Sequence, residues 1–234
     1  MSAWWLALLL FLAPTDLQQA EASYRAGRYQ EAMVEFQAAL AEPGAAAGPI
    51  LYDLGNCAYR LGRHAEAVLY YRRALLRLRR DPELRFNLRL AEQKLGMDVP
   101  ATESFGAAVV GLVDAFGRGE LLALAVTLQT VGLLGAVLLR RRRGLRLLPW
   151  AVTLLGVLAG ARLARDTWFA PAPEGVVVSD EISLRSEPRA DLAVTLKLKA
   201  GELVRVEEQS DRWVRVVHPQ GRGWTERAGV GVVE

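Results

Sequence analysis

LLALAVTLQTVGLLGAVLL (residues 121–139), RRRRGLR (140–146) and LLPWAVTLLGVLAGARLA (147–164) follow one another without interruption. The first stretch is 19 residues long, carries no charge, and has only Thr127, Gln129 and Thr130 as polar members. About 20 mostly apolar residues at 1.5 Å rise cross the hydrocarbon of a bilayer. The third stretch is apolar apart from Thr153 and Arg162. The link between them holds five cations, Arg140, Arg141, Arg142, Arg143 and Arg146. The pattern predicts two antiparallel membrane helices, 121–139 and 147–169, joined by a basic loop at 140–146. Arginine in short loops stays cytoplasmic, so the loop marks the cytoplasmic side and both flanking regions fall outside. Trp150 and Trp168 sit 18 positions apart, roughly 27 Å along a helix, as an aromatic belt at two interfaces requires. Arg162 and Arg165 lie near the outer end, where they can snorkel to water. Gly132 with Ala136, and Gly156 with Gly160, are small residues four apart, a spacing that lets helices pack closely in lipid.

Charge supports a topological reading of the basic residues. The 234-residue chain has a net charge of +3, and without the five loop arginines the balance is −2. Residues 15–98 carry 12 basic and 11 acidic side chains, and residues 173–234 carry 9 and 11. Neither region has the cationic excess that nucleic acid requires, so nucleic acid is not an expected partner. Cys57 is the single cysteine, which excludes an internal disulfide and a cysteine-rich zinc site. It reads as a small core residue. The two histidines, His64 and His218, fall in different regions. No HExxH, phosphate-cradling loop or nucleophile elbow is present, so neither catalytic residues nor a metal nor a cofactor is expected. A binding protein is predicted rather than an enzyme.

Residues 4–13 form a short apolar run with the length of a signal-peptide core. No cation precedes it. Export with cleavage at an unresolved point is the expectation for 1–14, with an uncleaved anchor as the alternative.

Residues 15–98 repeat internally. Gly27-x4-Ala32-x3-Phe36-x2-Ala39-Leu40 recurs as Gly62-x4-Ala67-x3-Tyr71-x2-Ala74-Leu75, an offset of 35, and Gly96 follows Gly62 by 34. Leu51-x2-Leu54-Gly55-Asn56 precedes the second glycine. The pattern resembles the tetratricopeptide repeat, with its 34-residue period. Each glycine would end a first helix, the alanines would allow close pairing, and Phe36 and Tyr71 would fill the space between pairs. Residues 82–95 look like a third first helix acting as a cap. The resemblance implies a concave groove for a protein partner, lined by Tyr24, Arg25, Tyr52, Asn56, Tyr59, Arg60, Phe86 and Gln93. Tyr52 and Tyr59 read equally well as packing between repeats. Arg72, Arg73, Arg77, Arg79 and Arg80 read as a solvated helix face, with contact to anionic lipid or an acidic partner as the alternative. Phe105, Val109, Leu112, Val113 and Phe116 recur at helical spacing within 99–120 and point to an interfacial helix, with an irregular linker as the alternative.

From residue 170 onward, short apolar runs at 176–178, 182–184, 203–206 and 213–217 alternate with turn residues, as in a small β module. Leu184-Arg185-Ser186-Glu187-Pro188, Leu198-Lys199-Ala200-Gly201-Glu202, Trp213-Val214-Arg215-Val216 and Gly221-Arg222-Gly223-Trp224 together resemble the bacterial SH3 domain. Trp213 and Trp224 are its only aromatics, too few for a proline-peptide groove, and read as core or edge packing.

The predicted fold is therefore multidomain: an all-α tetratricopeptide region, a two-helix transmembrane hairpin, and a C-terminal all-β SH3-like barrel. The combination resembles the E proteins of bacterial Bat (aerotolerance) operons. That resemblance implies a multi-pass protein of the bacterial inner membrane with both soluble domains on its extracytoplasmic side. It also implies a scaffold role beside von Willebrand A-domain membrane proteins and a MoxR-type ATPase. Binding of peptidoglycan through the SH3-like domain is the alternative.

Overall fold

The computed structural model describes residues 16–97, 116–141, 144–145, 147–168 and 172–234. The expected export segment, most of the interfacial stretch, and Arg142, Arg143 and Arg146 lie outside the described residues. Two compact units result, one drawn from both ends of the chain and one from its middle.

Among the described residues the terminal unit has five helices: α1 (Asp16–Arg25), α2 (Tyr29–Ala41), α3 (Ala47–Arg60), α4 (His64–Leu75) and α5 (Pro82–Lys94). Gly27, Gly62 and Gly96 have φ of 78°, 77° and 71°, the left-handed backbone that terminates a helix cheaply only at glycine. Arg28 and Arg63 return their N–H groups to Ser23 and Ala58, so both turns close alike, which is what the 35-residue offset encodes. Gly55 packs against Tyr71, whose ring carbon would lie 2.4 Å from an added Cβ. The glycine lets helices α3 and α4 meet ring to backbone. Asp81 starts α5 by accepting hydrogen bonds from the Glu83 and Leu84 N–H groups at 2.9 and 3.0 Å, with Pro82 in the first turn. This is a strong N-cap followed by a proline that has no N–H to satisfy.

Seven strands follow: β1 (Glu174–Val177), β2 (Glu181–Leu184), β3 (Leu196–Lys199), β4 (Leu203–Gln209), β5 (Trp213–His218), β6 (Gly221–Glu226) and β7 (Val230–Val232). A five-stranded sheet has the order β6-β5-β4-β1-β7, and β2 pairs with β3. The Arg185–Trp224 bridge joins the two sheets. At the crossing, an added Cβ on Gly223 would lie 2.7 Å from the Arg185 carbonyl oxygen, so that position has room for glycine alone.

The repeats and the barrel share a hydrophobic contact. Val176 and Val233 are buried with Leu54, Val68, Leu69, Tyr71, Leu84 and the other helical core residues. Val177, Val230 and Val232 are buried with the barrel interior. Successive strand side chains point to opposite faces, so β1 and the end of β7 serve both cores at once. Gly231 packs against Leu69, where an added Cβ would fall 2.2 Å away.

Arg72 and Arg73 depart from the expected solvated face. The Arg72 guanidinium lies 2.7 Å from Glu92 and 3.4 Å from Glu174, and its side chain is only 21% exposed. Arg73 donates to the Val232 carbonyl at 2.8 Å. Both arginines sit where strands cover α4, a contact that no local pattern announces. Arg77, Arg79 and Arg80 remain exposed.

The middle unit is a hairpin of α6 (Arg118–Leu139) and α7 (Leu148–Trp168). Both helices are long and apolar enough to cross a membrane, with only 11% of each span buried. Helix α6 starts three residues before the expected boundary because the Glu120 carboxylate accepts the Gly117 N–H at 2.9 Å. Gly132 meets Thr153 and Pro149 closer than a Cβ would allow, and Gly156 meets Gln129 and Ala125 at 3.0–3.2 Å from an added Cβ, a tight fit. Gly160 has no neighbour within 4 Å of an added Cβ. Ala136 is half-buried. One glycine of each small pair thus makes a close helix contact. Arg140 and Arg141 follow α6 and both are exposed.

Arg72→Ala should leave the carboxylate of Glu92, 9% exposed in the intact pair, buried without its cation. Such a loss costs about 3 kcal/mol. Hydrogen exchange should accelerate together in α4, α5 and β1. Acceleration confined to the helices would mean that the two modules are energetically independent.

Candidate functional site

The first helices of the repeat pairs line a cavity of about 350 Å³, walled by Tyr24, Tyr52, Asn56, Tyr59, Arg60, Asn87 and Leu90. Five of the eight predicted groove residues meet there: Tyr24 from α1, and Tyr52, Asn56, Tyr59 and Arg60 from α3. Arg25 is exposed and turned into an ion pair with Glu21 at 3.4 Å. Phe86 is 54% exposed and Gln93 is exposed; neither lines the cavity. Their places on α5 are taken by Asn87 and Leu90. Phe86 and Asn87 are about 100° apart around the helix, so a single position decides which of them enters the cavity.

A polar network fixes the floor. The Asn56 carboxamide oxygen accepts the Tyr71 hydroxyl at 2.8 Å and an Asn87 N–H at 3.3 Å. Asn87 also donates to the Tyr52 hydroxyl at 2.8 Å, and the Asn56 amide reaches Asp53 at 3.5 Å. Asn56 therefore spends its acceptor internally and keeps donor capacity. Tyr52 and Tyr71 rings lie 6.0 Å apart, so Tyr52 both packs and lines the cavity. Tyr59 stacks near His64 at 5.2 Å. Arg60 is exposed, and the Tyr24 phenol oxygen, as an acceptor, favours its charged form. It is the one charged group among the described lining residues. The resulting surface offers an amide, phenols and a guanidinium over aromatic faces, a set suited to the carbonyl groups of an extended chain.

Burial pushes the Asp53 carboxyl up to about 6, against the pull of its hydrogen bond to Asn56, and Glu21 adds to the rise. Burial likewise pushes the Cys57 thiol up to about 12, which leaves it unreactive, and raises the Tyr71 phenol. Among the described residues, no group of three or more His, Cys, Asp or Glu side chains could hold a metal.

Of core or edge packing, the two readings of the barrel tryptophans, the structure leaves the second: Trp224 lies on the edge strand β6 and Trp213 on its neighbour β5. Both are half-buried, and neither belongs to the barrel interior. Cross-strand pairing of Arg215 with Trp224 and of Trp213 with Glu226 puts all four on the outer face of β5–β6. Arg215 is held by Glu207 and Glu208 at 3.5 and 2.7 Å. Arg212 lies 5.9 Å from the Trp213 ring centre. The alternation at 213–217, with Val214 and Val216 inward, already carried the signal: a tryptophan in phase with an arginine shares its face.

Asp53 titrates with a sign that can be tested. A carboxyl raised in the folded state gives stability that is full below the unfolded value of 3.8 and is lost as pH rises through about 6. Asp53→Asn should therefore stabilise the protein by roughly 1–2 kcal/mol at pH 7.5, at a site partly open to water. The gain should vanish below about pH 4 in melts followed by circular dichroism. A pH-independent difference would refute the assignment.

Residues 178–230 match the bacterial SH3 domain, and residues 48–81 match the tetratricopeptide repeat. No curated protein matches the chain. The repeat is a module of protein–protein interaction and the bacterial SH3 domain one of cell-wall binding. Both are interaction modules, typically without catalytic activity.

Proposed function

We propose that this chain is a membrane-anchored, non-enzymatic scaffold that holds an extended segment of a protein partner in the cavity between α1, α3 and α5. The observation that carries the reading is the convergence of Tyr24, Tyr52, Asn56, Tyr59 and Arg60 on one cavity with a pre-organised hydrogen-bonding floor. Pre-organisation reduces the ordering that binding would otherwise cost. The α6–α7 hairpin supplies the anchor, with Arg140, Arg141, Arg142, Arg143 and Arg146 as the cytoplasmic marker and both ends of the chain on the extracytoplasmic side of a bacterial inner membrane. Within this reading the partners are those of a Bat-type envelope assembly, von Willebrand A-domain membrane proteins served by a MoxR-type ATPase. The resemblance in domain order supports that choice.

The outward Trp213–Arg215–Trp224 face favours a second reading, in which the barrel grips peptidoglycan. An indole offers a broad apolar surface and one N–H donor, and here both indoles lie outside the core.

Arg60 is the better probe of the groove. Its side chain is solvated, whereas removing Asn56 strands the Tyr71 hydroxyl. Arg60→Ala should weaken partner capture about tenfold or more with an unchanged melting profile. The measurement is crosslinking of the full-length protein in native membranes, with mass spectrometry of the products. Equal capture by the variant would remove the groove from the mechanism. Sedimentation of the full-length protein with purified sacculi, lost in Trp224→Ala, would move the function to the barrel.

A further inference from the structure

We infer that the groove between α1, α3 and α5 selects a proline-rich segment in the polyproline II conformation. The inference rests on the groove reading above and names the chemistry of its ligand. Tyr24, Tyr52 and Tyr59 bring three phenol rings to one cavity wall. Tyr52, Asn56, Tyr59 and Arg60 stand at i, i+4, i+7 and i+8 along α3, a spacing that makes one stripe on a helix face. Seven positions separate Tyr52 from Tyr59, about 10.5 Å along the helix axis. A polyproline II chain presents the same side every three residues, about 9.3 Å. Laid along α3, such a chain brings a pyrrolidine ring to Tyr52 and another, one turn on, to Tyr59. Rows of aromatic rings bind proline-rich chains by this contact, and the preformed chain has little conformational freedom left to lose.

Hydrogen-bonding capacity points to the same ligand. The Tyr52 hydroxyl oxygen accepts an Asn87 N–H at 2.8 Å, which leaves its O–H to donate outward. The Tyr24 phenol oxygen accepts from Arg60, with the same result. The Asn56 carboxamide oxygen is spent on the Tyr71 hydroxyl and on Asn87, at 2.8 and 3.3 Å. Arg60 is a donor only, and no carboxylate stands among the described lining residues. Against these donors the lining side chains set two acceptors, the Asn87 carboxamide oxygen and the Tyr59 phenol oxygen. An ordinary extended chain brings one N–H for every carbonyl, and an N–H desolvated without an acceptor is costly. Proline has no N–H, and polyproline II leaves its carbonyls without internal partners. Such a segment accepts what the groove donates and omits the donors it cannot satisfy. An acidic chain gains less here. Arg60 is exposed, so salt screens its attraction, whereas contact with three rings persists at any ionic strength.

The test uses the full-length protein in phosphatidylcholine nanodiscs and three capped, fluorescently labelled decamers: one of proline, one of glutamate, and one of alternating alanine and glutamine. Fluorescence anisotropy should show the proline decamer bound roughly tenfold more tightly than either of the others. Tyr59→Leu keeps apolar bulk and removes a ring, and should weaken proline binding by about tenfold. Tyr59 also packs on the helical core, so a second variant guards against misfolding. Tyr24→Phe removes one hydroxyl, retains the ring, and should weaken binding by roughly two- to tenfold. Equal binding of the proline and alanine–glutamine decamers overturns the proposal, and so does a preference for glutamate. Proline binding that survives both tyrosine variants and is lost in Trp224→Ala would place the site on the barrel and refute it as well. Partner capture by Arg60→Ala reads the groove separately. If capture falls in that variant while the proline decamer stays unbound, the groove stands and its proline selectivity fails. If the decamer binds as expected while capture is unchanged, the scaffold reading fails instead.

Discussion

Alternation along a four-residue strand joins the two soluble modules. Val176 points into the helical core and Val177 into the barrel. A strand with both faces buried reads as an apolar run, and Val176-Val177-Val178 is such a run. The two cores are adjacent because β1 is their common wall. β7 repeats the device with Val232 inward and Val233 outward, and Gly231 gives Leu69 room between them. Shifting β1 by one residue would exchange the two faces. The pairing of Gly175 with both Val204 and Val232 fixes the register from both sides, and an added Cβ there would crowd Val230.

This wall explains the ion pairs around it. Covering α4 with strands removes Arg72 from water, a costly transfer unless the charge is paired. Glu92 from α5 and Glu174 from β1 supply the pairing. The triad therefore spans the second repeat, the cap helix and the barrel. A repeat array this short has few neighbours to stabilise it. The barrel takes part of the role of a terminal cap by giving α4 a surface to bury against.

The local elements were legible in the sequence because each rests on a local constraint. The glycines at 27, 62 and 96 can be read from their spacing, since a left-handed helix end is a single-residue requirement. The apolar lengths of α6 and α7 follow from composition, and the barrel turns from Gly and Pro. The contact between Leu69 and Gly231 links residues 162 positions apart, and no periodicity carries such information. Repeat phase put Tyr52, Asn56, Tyr59 and Arg60 on α3, and the four line one cavity. On α5 the same phase puts Leu90, 34 residues after Asn56, in the cavity wall, while Asn87 lines it beside Phe86.

Helix α5 carries arginine as well as lining residues. Arg89 is exposed and Arg85 half-exposed, and an arginine's long apolar stem can lie along a helix while its head stays wet. The groove on the other side of α5 is built from amides and phenols. Helix α5 thus turns Asn87 and Leu90 into the cavity beside Arg60, where hydrogen-bond geometry governs, and exposes Phe86 and Arg89 elsewhere.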